Sequence, residues 1–550
     1  MLSAMKLGNF DRTGGELKPC AFRPIQGAES MMQLLNDACS RRQRLLHSSF
    51  FILPSAFFLR WGVAAATTLL ALAAFAADSA SRAPQNDMLL LDSLGRAVRV
   101  ATNQLPQSLH PSAAVGLQRQ TPDPLPGASL PSEVSRRLQD AREGAPPFQF
   151  FPAVPPRLMP YLGSLDEFGN TSLRPGALCN FVPLEAPVAG AKYWLSQYGL
   201  RYSLEQTLTY VNMTDVKQGD NSLGYYTLDL KTKWAVFDAP ASGTAGWISA
   251  QVEAKTGLGV GGEKESAKSN LGTLTDPTGI WSSVNGVRLP EFAWQQSLLD
   301  GEFVAVAGMV SQRNYMDGNA AAHTGRGEFV NSALINSQVL PLAEYNFGLN
   351  LQWQPADEWY AMFGASVGNA PAGFAPWTDL NLNTWSLLWE LGYAPKDFLG
   401  LGPGIYRIQP FIAESGGPAQ PGLGFDLQQQ LGADSPFAWF GRFGFAGAQV
   451  PADAAAQIGT GFLVHAPLRN LGLIPRLSND LLGLGLVWSQ PPNTGKTVYH
   501  ENEYVLESFY TLQLTPTIRI QPDLQVVWDP AYSRNAGPAF VSQIQIVLAW

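Results

Sequence analysis

The sequence predicts an all-β fold, a transmembrane antiparallel β-barrel of about 16 strands, preceded by a signal peptide and a disordered periplasmic arm. Three observations predict this fold class. Short segments alternate apolar and polar residues, which is typical of strands with one apolar face. Only 15% of the 550 residues are charged, against about a quarter in soluble proteins. No long amphipathic helix separates the alternating segments, which excludes folds built from βαβ units.

Residues 1–76 are predicted to be a signal or leader segment. The run Trp61–Phe75 contains fifteen residues without a charge, follows Arg60 and leads into the small-residue site Ala74-Phe75-Ala76. This arrangement is typical of a secretory signal peptide, because the apolar run is shorter than the about 20 residues of a membrane-spanning helix. A transmembrane anchor is the alternative interpretation.

Residues 77–160 are predicted to be a Pro-rich linker or periplasmic arm. Stretches such as QTPDPLPG and APPFQFFPAVPPR are rich in Pro, and the segment as a whole is rich in Ser, Gln and Ala. Such a composition does not build a hydrophobic core. One short helix is expected here, with Ser132 as its N-cap.

Residues 161–550 are predicted to form the barrel domain. In Ile518–Trp528 and Tyr504–Leu514 the even-numbered residues are mostly apolar, so we expect them to face lipid while the odd-numbered polar residues face the lumen. Phe540–Trp550 keeps this register. A tilted strand needs about 9–11 residues to cross a bilayer, and this segment is long enough. Trp385–Tyr393 and Leu349–Gln354 repeat the pattern with odd-numbered residues outward.

Alternation alone also fits a soluble β-sandwich. The outward faces, however, carry Trp and Tyr near strand ends and few charges, as in the aromatic girdles of membrane barrels. About 390 residues of such strands would be large for one sandwich. A barrel of about 16 strands is wide enough for an aqueous channel.

Composition and cysteine content exclude several classes of function. Without residues 1–76 the chain carries 28 basic and 40 acidic side chains, which argues against a nucleic-acid partner because phosphate binding requires a basic surface. Cys20 and Cys39 lie in the leader, and Cys179 alone cannot form an internal disulfide. No Cys/His cluster has metal-ligand spacing, so neither a metal nor another cofactor is expected.

Two glycine patterns are interpreted as coincidental. Gly257-x-Gly259-x-x-Gly262 fits the dinucleotide pattern, but the βαβ context is missing. Gly364–Gly368 (GASVG) fits the nucleophile elbow of hydrolases, but two prolines follow where a helix is required. Solvent-facing loop positions are expected for the histidines His110, His323, His465 and His500.

Four stretches are similar to a known family. They are Leu195–Asp215, Leu289–Gly318, Phe329–Leu334 and Glu507–Trp550, the last with the PDLQ-x-x-x-x-P core at Pro522–Pro530. The chain resembles the carbohydrate-selective OprB-type porins of Gram-negative outer membranes from Lys192 to Trp550. It departs from them in ending on Trp rather than the more usual Phe, and residues 1–160 have no counterpart in the resemblance.

The resemblance implies an outer-membrane porin for passive diffusion of monosaccharides and short saccharides, without catalytic activity. It implies sugars as permeating solutes, outer-membrane lipid around the barrel and a homotrimer, and it makes Trp550 the signal that the barrel-assembly machinery reads. Three alternatives stay open: a general porin for small solutes, a barrel enzyme such as an outer-membrane lipase, and a structural or adhesive barrel whose arm is the functional part.

The strand register supplies candidate residues for the substrate channel. A saccharide presents many hydroxyl groups, so inward-facing charged and amide side chains can hydrogen-bond it inside a narrow lumen. The strand candidates are Glu390, Arg407, Gln409, Arg442, Glu503, Glu507, Arg519, Asp523 and Gln525. Arg313, just past the VAVAG segment, is a further candidate, and Trp294 is a candidate for the constriction. The alternative for each is a wall residue that only solvates water. The sequence does not identify the constriction loop.

Overall fold

The computed structural model describes the barrel and part of what precedes it. Described are residues 176–179, 185–239, 242–261, 266–279, 286–319, 322–323, 325–367, 383–433, 435–448, 450, 452–493, 496–534 and 537–550, and the backbone of 87–91 and 97–101. The predicted leader, the helix expected at Ser132 and most of the predicted arm lie outside these residues. The three domain boundaries therefore stay predictions.

Two compact units divide the chain, Met1–Gln120 and Thr121–Trp550. The first contains two short strands, β1 (Asp87–Leu91) and β2 (Ala97–Ala101), which pair antiparallel. Both strands belong to the stretch that the sequence predicts to be an arm.

The second unit confirms the predicted fold class, because its described residues form a closed barrel of sixteen antiparallel strands. Each strand pairs with the next along the chain, and the last pairs with the first through Gln545 opposite Thr209. The strands are β3 (Leu200–Met213), β4 (Ser222–Ala239), β5 (Thr244–Gly257), β6 (Gly286–Leu298), β7 (Phe303–Val310), β8 (Asn346–Ala356), β9 (Trp359–Val367), β10 (Thr384–Tyr393), β11 (Gly404–Ser415), β12 (Gln420–Gln430), β13 (Phe437–Ala446), β14 (Ala456–His465), β15 (Leu481–Gln490), β16 (Glu503–Thr515), β17 (Ile518–Trp528) and β18 (Ala539–Ala549).

Helices are short in the described residues and lie in the connections. They are α1 (Glu185–Ser196), α2 (Ala267–Leu271), α3 (Ser332–Ile335) and α4 (Pro467–Asn470), with 3₁₀ turns at Leu299–Gly301 and Gln312–Asn314. Among the residues described, no helix has the length and apolar character needed to span a membrane.

The predicted faces of the strands are confirmed by exposure. On the outer side Leu524 is 63% exposed and Ile544 43%, whereas their inward neighbours Asp523 and Gln545 are 1% and 0% exposed. This inverted pattern, with apolar residues outside and polar residues inside, is what a barrel surrounded by lipid requires.

Outward aromatic residues form two rows at opposite ends of the barrel. One row crosses β9, β10 and β11, where Tyr393 lies opposite both Trp359 and Tyr406. The other row crosses β16 and β17, where Tyr504 lies opposite Trp528. Two such belts match the two interfaces of a bilayer.

An even number of strands places the start of β3 and the end of β18 at the same end, here called the terminal end. At the other end, here called the loop end, β5, β7 and β9 end and β6, β8 and β10 begin, and the longest connections of the barrel in sequence join these strands. In membrane barrels the longer loops are extracellular, so the loop end faces the exterior.

Candidate functional site

The β7–β8 connection, residues 311–345 and here called the lumen loop, folds into the barrel. Its Phe329 is fully buried and makes edge contacts with two inward rings of the wall, Phe440 at 5.5 Å and Phe509 at 4.8 Å. Gly485 on β15 leaves room for this contact, since a Cβ there would lie 2.7 Å from the Phe329 ring. Burial of these rings fixes the middle of the lumen loop against β13 and β16.

Arg442 on β13 holds the lumen loop at several points. Its guanidinium donates to the carbonyl oxygens of Leu334, Ala322 (3.0 Å) and Asp317 (3.2 Å). It also pairs with the Asp426 carboxylate at 3.0 Å and the Asp317 carboxylate at 3.4 Å. Arg442 is 1% exposed, so its guanidinium has lost its hydration water. These contacts compensate for that loss.

A second group of side chains lies beside Arg442 on β10, β11 and β12. Arg407 lies 3.1 Å from both Glu390 and Asp426, and Gln409 donates to Glu390 at 2.8 Å. Glu390 in turn accepts a bond from the backbone N–H of Asp317. The network connects three strands of the wall to the lumen loop.

Glu507 on β16 holds the segment before α3. Its two carboxylate oxygens accept bonds from the backbone N–H groups of Val330 (2.5 Å) and Asn331 (2.9 Å). One carboxyl group thus satisfies two buried backbone donors. The Asn331 side chain then caps α3 by accepting from the N–H of Ala333.

The β5–β6 connection is held in the same way. Glu503 accepts from the N–H groups of Leu274 (2.6 Å) and Thr275 (3.0 Å). Gln525 donates to the Pro277 carbonyl oxygen at 2.8 Å and to Asp523 at 2.9 Å. Both connections are thus attached to the wall formed by β10–β17.

The structure places the strand candidates on the inner face, where they hold or support the inserted connections. Arg519 donates to the Arg326 carbonyl oxygen and pairs with Glu205 at 3.1 Å. Whether these residues act in substrate passage stays a prediction.

Two expectations are wrong. Trp294 is 37% exposed on the outer face and lies beside Phe237, so it does not line a constriction. His323 is not in a solvent-facing loop but inside the barrel on the lumen loop. Burial, together with the cations Arg442, Arg313 and Arg407, lowers the pKa of His323 to about 3. Its ring is therefore neutral around neutral pH.

Open space lies on the opposite side of the lumen, between the lumen loop and β4–β6. A cavity of about 170 Å³, here called the inner cavity, is lined by Asp229, Lys231, Gln251, Glu253, Lys255, Gly279, Arg288, Pro290, Ser311, Arg313, Asn314, His323, Arg326, Ile335, Asn336, Glu344 and Tyr345.

A cavity of about 380 Å³, here called the outer cavity, lies toward the loop end. Its lining combines polar residues such as Ser366 and Ser386 with apolar residues such as Leu340 and Pro341.

Arg313, Glu344 and Tyr345 line both cavities and so mark their junction. Arg313 and Glu344 form an ion pair of 2.8 Å, and each side chain is about one third exposed. The Tyr345 hydroxyl accepts from Arg288 at 3.1 Å and donates to Glu253 at 3.3 Å. Burial and the nearby Glu253 raise the pKa of Tyr345, which keeps its hydroxyl protonated as a hydrogen-bond donor.

Sequence reasoning selected Arg313 but missed the other lining residues on the wall. The signal was present: Asp229, Lys231 and Lys233 alternate on β4, and Gln251, Glu253 and Lys255 alternate on β5. A period of two in charged and amide residues marks an inward face by the same rule that served β16–β18.

Neither glycine pattern has the context that its chemistry requires. Gly257 ends β5, which runs antiparallel to both neighbours rather than within a βαβ unit. Ser366 lies on β9, where its hydroxyl is 2.7 Å from the Ser386 hydroxyl. In the described part of the chain no cluster of three or more His, Cys, Asp or Glu side chains is arranged to hold a metal ion.

Comparison with known proteins gives a family and a fold. The family model described as "Carbohydrate-selective porin, OprB family" matches residues 245–416 and 418–546, more than half of the chain. The high-pH structure of Pseudomonas putida OprB is similar over 66% of this chain and 96% of its own, with a TM-score of 0.53 and 14% identity. At that identity the likeness concerns the fold.

Two other solved structures are similar at lower scores. The low-pH structure of Pseudomonas putida OprB has a TM-score of 0.42 and 14% identity over 69% of this chain and 100% of its own. Pseudomonas aeruginosa OccK11 (OpdR) has a TM-score of 0.39 and 8% identity over 64% of this chain and 95% of its own. A search of curated proteins finds no match.

Proposed function

Because the chain belongs to the carbohydrate-selective porin family OprB, we propose that its two cavities form the path along which saccharides cross the barrel. The protein is a porin of the bacterial outer membrane, and carbohydrates pass through it by passive diffusion. The proposal includes a Gram-negative host and no catalytic step.

One observation carries this path. The inner and outer cavities share Arg313, Glu344 and Tyr345, so they adjoin one another inside the barrel. The wall on the other side is occupied by the lumen loop, which Arg442 and Glu507 hold through its backbone. A solute therefore meets open space along β4–β6 and attached polypeptide along β10–β17.

The lining fits a solute with many hydroxyl groups. Asn314, Asn336 and Tyr345 offer amide and hydroxyl groups, and the Arg313–Glu344 pair offers a donor next to an acceptor. In the outer cavity Leu340 supplies an apolar surface for the C–H faces of a sugar ring. Binding at several weak sites lets a solute enter and also leave, as conduction requires.

Liposomes containing the purified protein are expected to swell in glucose and more slowly in a disaccharide. The physical reason is the small volume of the two cavities, about 170 and 380 Å³, in which a larger solute loses more freedom. Swelling is followed by light scattering over saccharides of increasing size, with neutral amino acids as non-saccharide solutes. An absence of swelling in every sugar would refute the porin function, and equal rates for sugars and amino acids of one size would make the protein a general porin.

Deletion of Trp550 is expected to lower the amount of folded barrel in the membrane severalfold. The backbone of Trp550 exchanges two hydrogen bonds with Leu204, at 2.8 and 3.0 Å, and these bonds extend the seam between β18 and β3. Their loss removes about 2 kcal/mol from barrel closure, together with the aromatic end that we propose the assembly machinery reads. Heat-modifiable mobility of membrane fractions on gels measures the folded amount.

The matched control for this deletion is Trp550→Phe, which retains an aromatic ring and the backbone bonds and should assemble normally. Channels that do fold without Trp550 should conduct as the parent protein does. Normal folded amounts after the deletion would show that Trp550 has no part in assembly. A homotrimer stays a prediction from the family.

A further inference from the structure

We propose that this porin favours anionic saccharides, polyhydroxylated compounds that carry one carboxylate, over neutral saccharides of the same size. The inference deepens the proposed function and rests on it, since it requires that solutes pass through the inner cavity. It comes from the charges that line this cavity, whose sign is opposite to the net charge of −8 of the whole chain.

The inner cavity is lined by more cations than anions. Among the described residues of the lining five are basic and three are acidic, and the histidine is neutral. The basic residues are Lys231, Lys255, Arg288, Arg313 and Arg326, and the acidic residues are Asp229, Glu253 and Glu344. The lining therefore has an excess of two positive charges.

Each acidic residue of the lining already has a cation beside it. Asp229 lies 3.5 Å from Lys231 and 3.1 Å from Arg326, and Glu253 lies 3.5 Å from Lys255. With the Arg313–Glu344 pair, the three acids are matched. The positive excess is a property of the lining as a whole and requires no unpaired side chain.

Further charges lie just behind the lining. Glu205 forms ion pairs with Arg326 at 2.8 Å and with Arg519 at 3.1 Å. Glu291 on β6 and Lys233 on β4 are both buried. Two further acids lie behind the lining: Glu328 accepts from the N–H of His323 at 2.9 Å, and Asp276 accepts from the N–H of Thr278 beside Gly279. The excess of two positive charges therefore belongs to the side chains that line the cavity.

The outer cavity does not oppose the passage of an anion. Besides the Arg313–Glu344 pair it contains Asp453, which lies 3.8 Å from Lys268 on the neighbouring connection. The outer cavity thus adds no strong excess of either sign. A cleft with one excess sign and low-dielectric walls concentrates ions of the other sign.

The lining also fits a saccharide acid better than a bare anion. Asn314, Asn336 and Tyr345 lie among the cations and can bond hydroxyl groups of the same solute. The acids Asp229 and Glu253 keep the site from holding the carboxylate too firmly, which passage requires.

The test uses the whole protein in planar bilayers and in liposomes. Under a gradient of KCl the reversal potential gives the permeability of chloride relative to potassium. We expect a ratio of about three, because the excess positive charge lies on the cavity wall, close to the passing ion. Liposomes should swell about twofold faster in gluconate than in glucose, after correction for the counterion, for the same reason.

Lys255→Glu is the decisive variant. Lys255 lines the inner cavity on β5, and reversing its charge removes the excess of two. The chloride preference should disappear, and Lys255→Gln should give an intermediate value. The control Lys396→Glu makes the same change at a residue that is 55% exposed, pairs with Asp357 and is not among those that line the cavities, so it should retain the parent preference. Heat-modifiable mobility verifies that each variant folds.

The failures of the two proposals can be told apart. If glucose enters the liposomes but chloride and potassium permeate equally, or gluconate is no faster than glucose, the charge inference is overturned and the porin path stands. A preference that Lys255→Glu leaves unchanged also overturns the inference. If neither saccharide enters, the path itself is refuted.

Discussion

Replacing Arg442 with Met is expected to raise the single-channel conductance severalfold and to remove the discrimination between small and large sugars. Arg442 bonds the carbonyl oxygens of Leu334, Ala322 and Asp317, which lie in two separate parts of the lumen loop. Without it, that loop loses these hydrogen bonds to β13 and keeps there the packing of Phe329 on Phe440. The part of the loop around Ala322 is then held less firmly, and the space that it occupies beside β13 opens to solvent.

The same substitution is expected to destabilise the barrel. It leaves the carboxylates of Asp426 and Asp317, both 0% exposed, without their common cation. Removal of one member of a buried ion pair costs about 3–5 kcal/mol. Arg407 still pairs with Asp426 at 3.1 Å, so we expect the lower part of this range.

Conductance in planar bilayers and the temperature of the heat-modifiable transition measure the two effects. Lys396→Met is the control, because it removes a cation from an exposed pair at the terminal end and should change neither quantity. An unchanged conductance in a folded Arg442→Met channel would show that the lumen loop does not limit the pore.

The barrel could be predicted from sequence because the pattern that identifies each of its strands lies within a short stretch of the chain. Each face of a strand is defined by a period of two over about ten residues, and the lipid side must be apolar whatever the rest of the chain does. Ile518–Trp528, inferred from alternation alone, is β17 in the structure to the residue. The register also placed Glu507 and Arg519 on the inner face.

The use of that inner face could not be predicted, because it depends on contacts between distant parts of the chain. The bond from Arg442 to Leu334 joins residues 108 positions apart, and the bond from Val330 to Glu507 spans 177. No local pattern tells whether an inward residue faces water or an inserted loop. Alternation marks Glu507 and Lys231 alike as inward, and it does not tell that the first holds the lumen loop while the second lines open space.

Attachment of a bulky group at position 313 is expected to stop the passage of sugars. Arg313 lines both cavities and is about one third exposed, so a cysteine in its place is accessible to reagents from the lumen. The experiment starts from Cys179→Ser, because Cys179 is an exposed free cysteine. Arg313→Cys channels are then treated with a bulky methanethiosulfonate, which forms a disulfide with the introduced thiol.

Swelling in glucose should fall by about tenfold after treatment, because the group fills the junction through which the solute must pass. A reductant that cleaves the disulfide should restore the rate, which separates obstruction from damage to the barrel. The swelling rate of each sample after treatment is compared with its rate before treatment. The loss of the Arg313–Glu344 ion pair is present in both and therefore does not affect the comparison. Lys396→Cys, treated in the same way, should show no change. Unaltered flux in channels whose modification is verified by mass would mean that sugars cross the lumen elsewhere, and the two cavities would then be excluded as the path.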